Sequence, residues 1–218
     1  MIKRLLSELC RPIALLMMTT CMLHLSAQVP VEEVFIKAPV SVLPTIDTNT
    51  RLDMIDYFKG GMTTDSPTTL NGAARVTALD DRHIEFLTSD NGRIAMWPVK
   101  YGKDSVTVVV KTVDIPASDS RVELYGWPEW RLIDSGDCGV IADWVIDPAR
   151  KEGRVEDVEN ALGFMTATAS FDPASGKITY VPTVAGVITE AEFEKVAPYV
   201  QKSRTFKLKP GKGIVPEK

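Results

Sequence analysis

Between Arg75 and Ile133 apolar side chains alternate with polar ones or gather in short β-branched runs, whereas on either side they recur at three- and four-residue spacing. The first period belongs to strands and the second to helices. Residues Val29 to Pro44 read as an extended entry segment, anchored by Val34-Phe35-Ile36, because Pro39 and Pro44 block a helix. A first helix is predicted from Thr50. Thr50 serves as its cap, Leu52, Ile55 and Phe58 form its apolar face, and Gly60-Gly61 stop it.

Strands then follow one another. Val76–Leu79 and His83–Thr88 flank Asp80-Asp81-Arg82, and Asp90-Asn91-Gly92 reads as a hairpin turn because Asn and Gly tolerate positive φ. Arg93–Tyr101 continues the run, with Pro98 marking an edge or bulge. The run Ser105–Val113 is so rich in valine and threonine that it predicts a central strand buried on both faces. Arg121–Trp127 and Trp130–Ile133 complete an antiparallel meander.

Past Cys138 the pattern is mixed. Val140–Ile146 fits strand or helix equally. Val155, Val158 and Leu162, closed by Gly163, predict a short helix, and Phe164–Phe171 with Lys177–Val181 predict a hairpin across 172–176. Thr189 and Glu192 have capping-box spacing ahead of Phe193, Val196 and Val200, with Pro198 as a kink. Thr205–Lys209 is the last predicted strand, and the tail 210–218 is expected to fray. Runs of strands with segregated helices predict an α+β fold, an antiparallel β-sheet with about three helices packed against it. One domain over 28–209 is expected; its two parts, 34–133 and 150–209, share a loose helix-then-strands plan without a residue-level repeat.

The first 27 residues change the picture. Lys3, Arg4 and Arg11 precede a 13-residue apolar run, Ile13–Leu25, and Leu25-Ser26-Ala27 offers a small residue at a cut before Gln28. A bilayer span needs about 20 apolar residues, so a cleaved secretion signal is favoured over an anchor. Lipidation at Cys21 is the alternative, although Met18-Thr19-Thr20 fits that reaction poorly. Removing the signal takes three of the 25 basic and one of the 29 acidic side chains, leaving a net charge of −6. Such a surface repels phosphate backbones, which argues against nucleic acid as a partner. Cys138 is then the one remaining cysteine and cannot form an internal disulfide; a small, half-buried apolar role is expected for it.

The stretch Val34-Phe35-Ile36, Leu43-Pro44 and Asn49-x-Arg51-Leu52-Asp53-x-Ile55-Asp56-Tyr57-Phe58 resembles the opening of a Bacteroidales family known as domain of unknown function 3256. The resemblance continues through Thr77-Ala78-Leu79-Asp80-Asp81, Lys111-Thr112-Val113, Pro116, Asp119-Ser120 and Trp130, and reaches the helix Thr189–Val200. It spans about Val34 to Leu208; members often carry a tryptophan in the last strand, where this chain has Phe206-Lys207-Leu208. It implies an exported Bacteroidales protein and transfers no catalytic residue.

Chemistry is bounded mostly by exclusion. His24 leaves with the signal, so a Ser-His-Asp or Cys-His site would have to use His83, and no serine sits in a G-x-S-x-G elbow. One His and one Cys cannot fill a zinc site, and neither Asp80-Asp81 nor Asp134-Ser135-Gly136-Asp137 has calcium-loop spacing. Gly60-Gly61 ends a helix rather than opening one, as a phosphate loop would. Asp53 and Asp56, with Arg51 beside them, read as a solvated helix face. No catalytic, cofactor or metal residue is assigned, and no cofactor is expected. Tyr125, Trp127 and Trp130 are the candidate ligand-stacking residues, since Tyr125 and Trp127 share a face by period two; packing the sheet against a helix is the alternative. Lys195, Lys202, Arg204, Lys207, Lys209, Lys212 and Lys218 make a basic end that reads as solvated, or as a contact for an acidic partner.

These readings favour a non-enzymatic periplasmic or surface-associated binding or assembly factor, with an envelope protein or glycan as partner. The alternative is a hydrolase or lyase that acts on glycan through carboxylates alone. Amino-terminal sequencing of the protein purified from its native cells is expected to begin at Gln28; recovery of Met1 from the cytosol would overturn the export reading.

Overall fold

The computed structural model describes residues 29–217, so the signal segment, Cys21, His24 and Lys218 lie outside the described residues. The fold is α+β, built on two antiparallel sheets. The first sheet has seven strands in simple sequence order: β1 (Ser66–Pro67), β2 (Ala73–Leu79), β3 (Ile84–Ser89), β4 (Gly92–Tyr101), β5 (Asp104–Val113), β6 (Asp119–Gly126) and β7 (Arg131–Gly136). This is the expected meander. Strand β5 is its densest part: Val106, Val108, Val109 and Val110 are each at most 4% exposed. Val109 faces one core, while Val106, Val108 and Val110 face the other. Each fully buried valine stabilises the fold by roughly 1.5–3 kcal/mol. Pro98 lies opposite Thr107 but past the end of the β3 ladder, which stops at Met96, so it interrupts no pairing there.

Helices α1 (Val31–Lys37) and α2 (Thr48–Lys59) cover the face that carries Val109, and they touch β1 to β4. Helix α1 corrects the extended reading of the entry segment. Pro30 and Pro39 bracket this helix instead of interrupting it, since Pro30 caps the start and Pro39 follows its end. Glu32 and Glu33 sit in its first turn and Lys37 in its last, which suits the helix dipole, and Lys37 bridges Glu33 at 2.6 Å. The Val34 and Phe35 anchor is 0% exposed.

Helix α2 starts two residues before Thr50. Its cap is Asp47, whose carboxylate accepts the Thr50 N–H at 2.9 Å. Its buried face is Arg51, Met54 and Ile55; Leu52, expected inside, is 43% exposed. Arg51 is the second correction. It leaves Asp53 and Asp56 in solvent and turns inward, donating from Nη1 to the carbonyls of Phe35 (2.9 Å) and Ala38 (2.5 Å). Those carbonyls belong to the end of α1, where helical partners run out. The guanidinium also reaches Asp47 O and Thr48 Oγ1, both at 3.2 Å.

The opposite face of the first sheet packs against the second, four-stranded one, ordered β11 (Gly213–Pro216), β10 (Arg204–Lys209), β9 (Lys177–Pro182) and β8 (Ala167–Asp172). Helices α3 (Asp147–Lys151), α4 (Val155–Leu162) and α5 (Glu190–Val196) close this side, making five α-helices among the described residues. Val140–Ile146 turns out to be both things its pattern allowed. Ile141–Trp144 is a 3-10 turn, and Val145 then bridges Val200. The capping box at Thr189 and Glu192 forms as predicted. Helix α5 stops at Val196, and Pro198 sits in the 3-10 turn that follows.

The tail expected to fray carries β11. Its glycines let the chain turn closely, and two distant side chains hold it. Tyr101 Oη donates to Lys209 O at 2.6 Å and accepts the Gly213 N–H at 2.9 Å, while Asp134 Oδ2 accepts the Ile214 N–H at 2.7 Å. Gly213 has φ +74°, and a Cβ there would run into the Asp134 carboxylate.

Arg51→Ala removes the donors that both α1 carbonyls use, and each orphaned buried group costs about 1–3 kcal/mol. Urea unfolding is expected to show a loss of about 3 kcal/mol with little change in slope.

Candidate functional site

The β6–β7 connection brings the three aromatic residues together. Trp127 follows the end of β6 and donates its backbone N–H to Ser105 O at 3.1 Å; the Trp130 N–H closes the loop onto Gly126 O at 2.8 Å. Trp130 adopts φ +56°, a left-handed conformation that costs a bulky residue about 1–2 kcal/mol. Neighbouring contacts hold it there. Its ring meets Tyr125 at 5.8 Å and stands edge-on to Trp127 at 5.9 Å. Its indole Nε1 is buried without a partner among the described residues.

The support runs back into the sheet. Tyr125 is 8% exposed and donates its hydroxyl to Glu123 Oε2 at 2.8 Å. Burial, reinforced by that carboxylate, pushes the Tyr125 phenol well above its ordinary range. Glu123 is held in turn by Lys111 at 2.7 Å and Arg121 at 3.4 Å. The order of contact is therefore Lys111 and Arg121, Glu123, Tyr125, Trp130, Trp127. As period two predicted, Tyr125 and Trp127 lie on one face, the one that α1 and α2 cover. Tyr125 is buried in that core, and Trp127, just past the strand end, packs against its margin with Trp130, as the packing alternative expects.

Trp127 lines a cleft of about 750 Å³ where three turns meet. The β4–β5 turn contributes Asp104, the β6–β7 connection Glu129 and Arg131, and the β10–β11 turn Lys212. Asp134 also lines it, but both of its oxygens are engaged, Oδ1 by the Ser135 N–H at 2.8 Å and Oδ2 by Ile214. Asp104 and Glu129 remain as carboxylates without a hydrogen-bond or ion-pair partner among the described residues. Sequence reading missed this cleft, because its walls come from turns about 25 and 80 residues apart.

The other candidates are placed elsewhere. Asp80 accepts the N–H groups of Arg82 (2.7 Å) and His83 (2.9 Å), and these bonds, the Arg82 one foremost, hold its carboxyl down at about 2. His83 Nδ1 lies 3.0 Å from the same carboxylate, and its ring stacks on Trp97. The Asp137 side chain accepts the Gly139 N–H. Among the described residues no group of three or more His, Cys, Asp or Glu side chains is gathered to hold a metal ion. Within the basic end, Arg204 is pinned rather than solvated. It bridges Asp143 at 3.4 Å, donates to Cys138 O at 3.0 Å and lies over the rings of Trp144 and Phe206. Cys138 is 6% exposed, and burial pushes its thiol up to about 11.

A sequence model of the family described as "Protein of unknown function (DUF3256)" matches residues 22–212. The chain belongs to that family. The fold is similar to that of a solved structure, a domain of an uncharacterized protein from Porphyromonas gingivalis W83, with a TM-score of 0.68 at 22% identity, covering 85% of this chain and 96% of that one. No curated protein matches the chain. Arg51, part of the stretch that carries the DUF3256 resemblance, is a structural latch between helices.

With its thiol pKa near 11, only about one Cys138 in a thousand is ionised at pH 8. Native protein is expected to resist iodoacetamide at that pH, and unfolding in guanidinium should restore labelling to the rate of a free thiol.

Proposed function

We propose that this chain is an exported Bacteroidales envelope protein that binds a ligand in the Trp127 cleft and does not transform it. The export part rests on the charged and apolar leader ending at Ala27. The origin of the solved structural relative fits the Bacteroidales part. Among the described residues no helix is long and apolar enough to cross a membrane.

One observation carries the binding reading. Trp127 lines the cleft, and its ring is fixed against Trp130, which rests on the buried Tyr125 at the margin of the core under α1 and α2, so the aromatic group has little rotamer freedom left to lose. Rigid aromatic side chains beside hydrogen-bonding groups are what sugar rings and peptide planes stack against. The alternative, a hydrolase or lyase that uses carboxylates, draws on Asp104 and Glu129, which line the same cleft.

Soluble cell-wall fragments titrated into the mature chain are expected to shift tryptophan emission. Trp127→Ala should weaken that binding about thirtyfold, or about 2 kcal/mol, while Leu70→Ala, a distant exposed site, leaves it unchanged. Titrations that are indifferent to Trp127 would remove the support for this site. Steady release of reducing ends, lost in Asp104→Asn or Glu129→Gln, would replace the binding reading with the enzymatic one.

A further inference from the structure

Among the described residues the two antiparallel sheets leave four outer edges, and three of them are blunted against further pairing. Strand β1 is two residues long and ends in Pro67, and β11 is four residues long and ends in Pro216. Strand β7 meets β6 with a register shift and lies against β11. The fourth edge, β8, has none of these devices. It runs for six residues in unbroken register with β9, contains no proline and carries its single charge, Asp172, at the end. The Thr183 N–H bonds Thr166 O at 2.9 Å, which makes Thr168, Ser170 and Asp172 the residues whose backbone groups face β9. The N–H and C=O groups of Ala169 and Phe171 therefore point to the free side, where they have no hydrogen-bond partner among the described residues. Ala167 faces the same way, and its N–H is taken at 3.2 Å by the Asp119 carboxylate.

A floor lies beyond that edge. Strand β8 crosses the first sheet from the start of β6, where Ala167 meets Asp119, to the middle of β4, where Phe171 stands edge-on to Trp97 at 5.5 Å. Strands β9 to β11 occupy the Tyr101 side of this crossing, so the free edge looks over the opposite ends of β3, β4 and β5. Arg93, Ala95, Val110 and Thr112 line a groove of about 260 Å³ there, with Ala169 and Phe171 as its wall. None of these residues lines the Trp127 cleft.

We propose that β8 takes an added strand: an extended segment of a partner protein lies in the groove antiparallel to β8 and bonds the backbone of Ala169 and Phe171. Another backbone is the chemistry those groups match, since their donors and acceptors repeat at every second residue and carry no net charge. Ala95 and Val110 on the floor favour apolar side chains at alternate positions of the segment. A second copy of this chain does not fit. An antiparallel β8–β8 pair about a two-fold axis puts both first sheets on the same face, and the strand ends that project past one β8 would collide with their copies. The site stands whether or not the Trp127 cleft holds a ligand.

The test pans random eight-residue peptides, displayed on phage, against the mature chain and discards those that also bind Ala95→Lys, whose longer side chain fills the floor. Survivors are expected to carry apolar residues at alternate positions. A synthetic copy of the strongest should slow hydrogen exchange at the Ala169 and Phe171 amides about tenfold, and methylating every second backbone nitrogen of that peptide should weaken it about tenfold. Ala169→Pro removes a donor from the free edge without touching the β9 ladder, so it should weaken binding about tenfold with the thermal midpoint unchanged. Survival of no peptide would overturn the proposal. So would a bound peptide that leaves both amides exchanging freely, or one that tolerates both its own methylation and Ala169→Pro. A wild-type dimer in light scattering that Ala169→Pro splits would overturn the partner segment in favour of a second copy.

Discussion

The architecture depends on burying β5 from two sides at once. A strand that offers valine to both faces of its sheet cannot leave either face in water, so a layer is needed above and another below. Helices α1 and α2 form one layer, and the four-stranded sheet with α3 to α5 forms the other. Both layers need help to stay in place. On the helical side the help is Arg51, whose guanidinium stands in for the hydrogen-bond donors that the end of α1 lacks. On the other side it is Tyr101 and Asp134, which grip the backbone of the β10–β11 turn.

The cleft is a by-product of that second attachment. Holding the β10–β11 turn against the rim of the first sheet leaves a gap bounded by three turns, with Trp127 among the residues that line it. The residues that fix the indole are not the ones a ligand would meet. Glu123 and Tyr125 belong to the sheet, and they transmit its rigidity outwards through Trp130, whose unfavourable φ is tolerated because its ring is packed. The ring of Trp127 is thus held from outside the cleft, whereas Tyr101 and Asp134 both line it and hold the turn that bounds it.

Much of the strand plan was legible because local pattern decides it. The alternation in β2 to β4, the valine run of β5 and the turns at Asp90-Asn91-Gly92 and 172–176 all express nearest-neighbour chemistry. The capping box at Thr189 is local too. What escaped was set by distant backbone. Pro39 and Pro44 looked like helix breakers for the whole entry segment until both were found to lie beyond the end of α1. Arg51 looked solvated because its partners are carbonyls 13 and 16 residues away, and carbonyls leave no mark in a sequence. The segment holding β11 looked frayed on its Gly, Pro and Lys content. For the candidate site, the aromatic group and the face shared by Tyr125 and Trp127 were visible, but what covers that face was not, because α1 and α2 come from far upstream in the chain.

The grip on the β10–β11 turn joins residues 112 apart in the chain through Tyr101 and 80 apart through Asp134. Contacts at such separation pay a large loop-closure entropy before returning any enthalpy, so they belong among the last to form. The seven-stranded meander, made of neighbouring hairpins, can assemble early, whereas the pocket comes into being only when that final closure is made. The cleft is then a property of the finished molecule alone, absent from partly assembled chains.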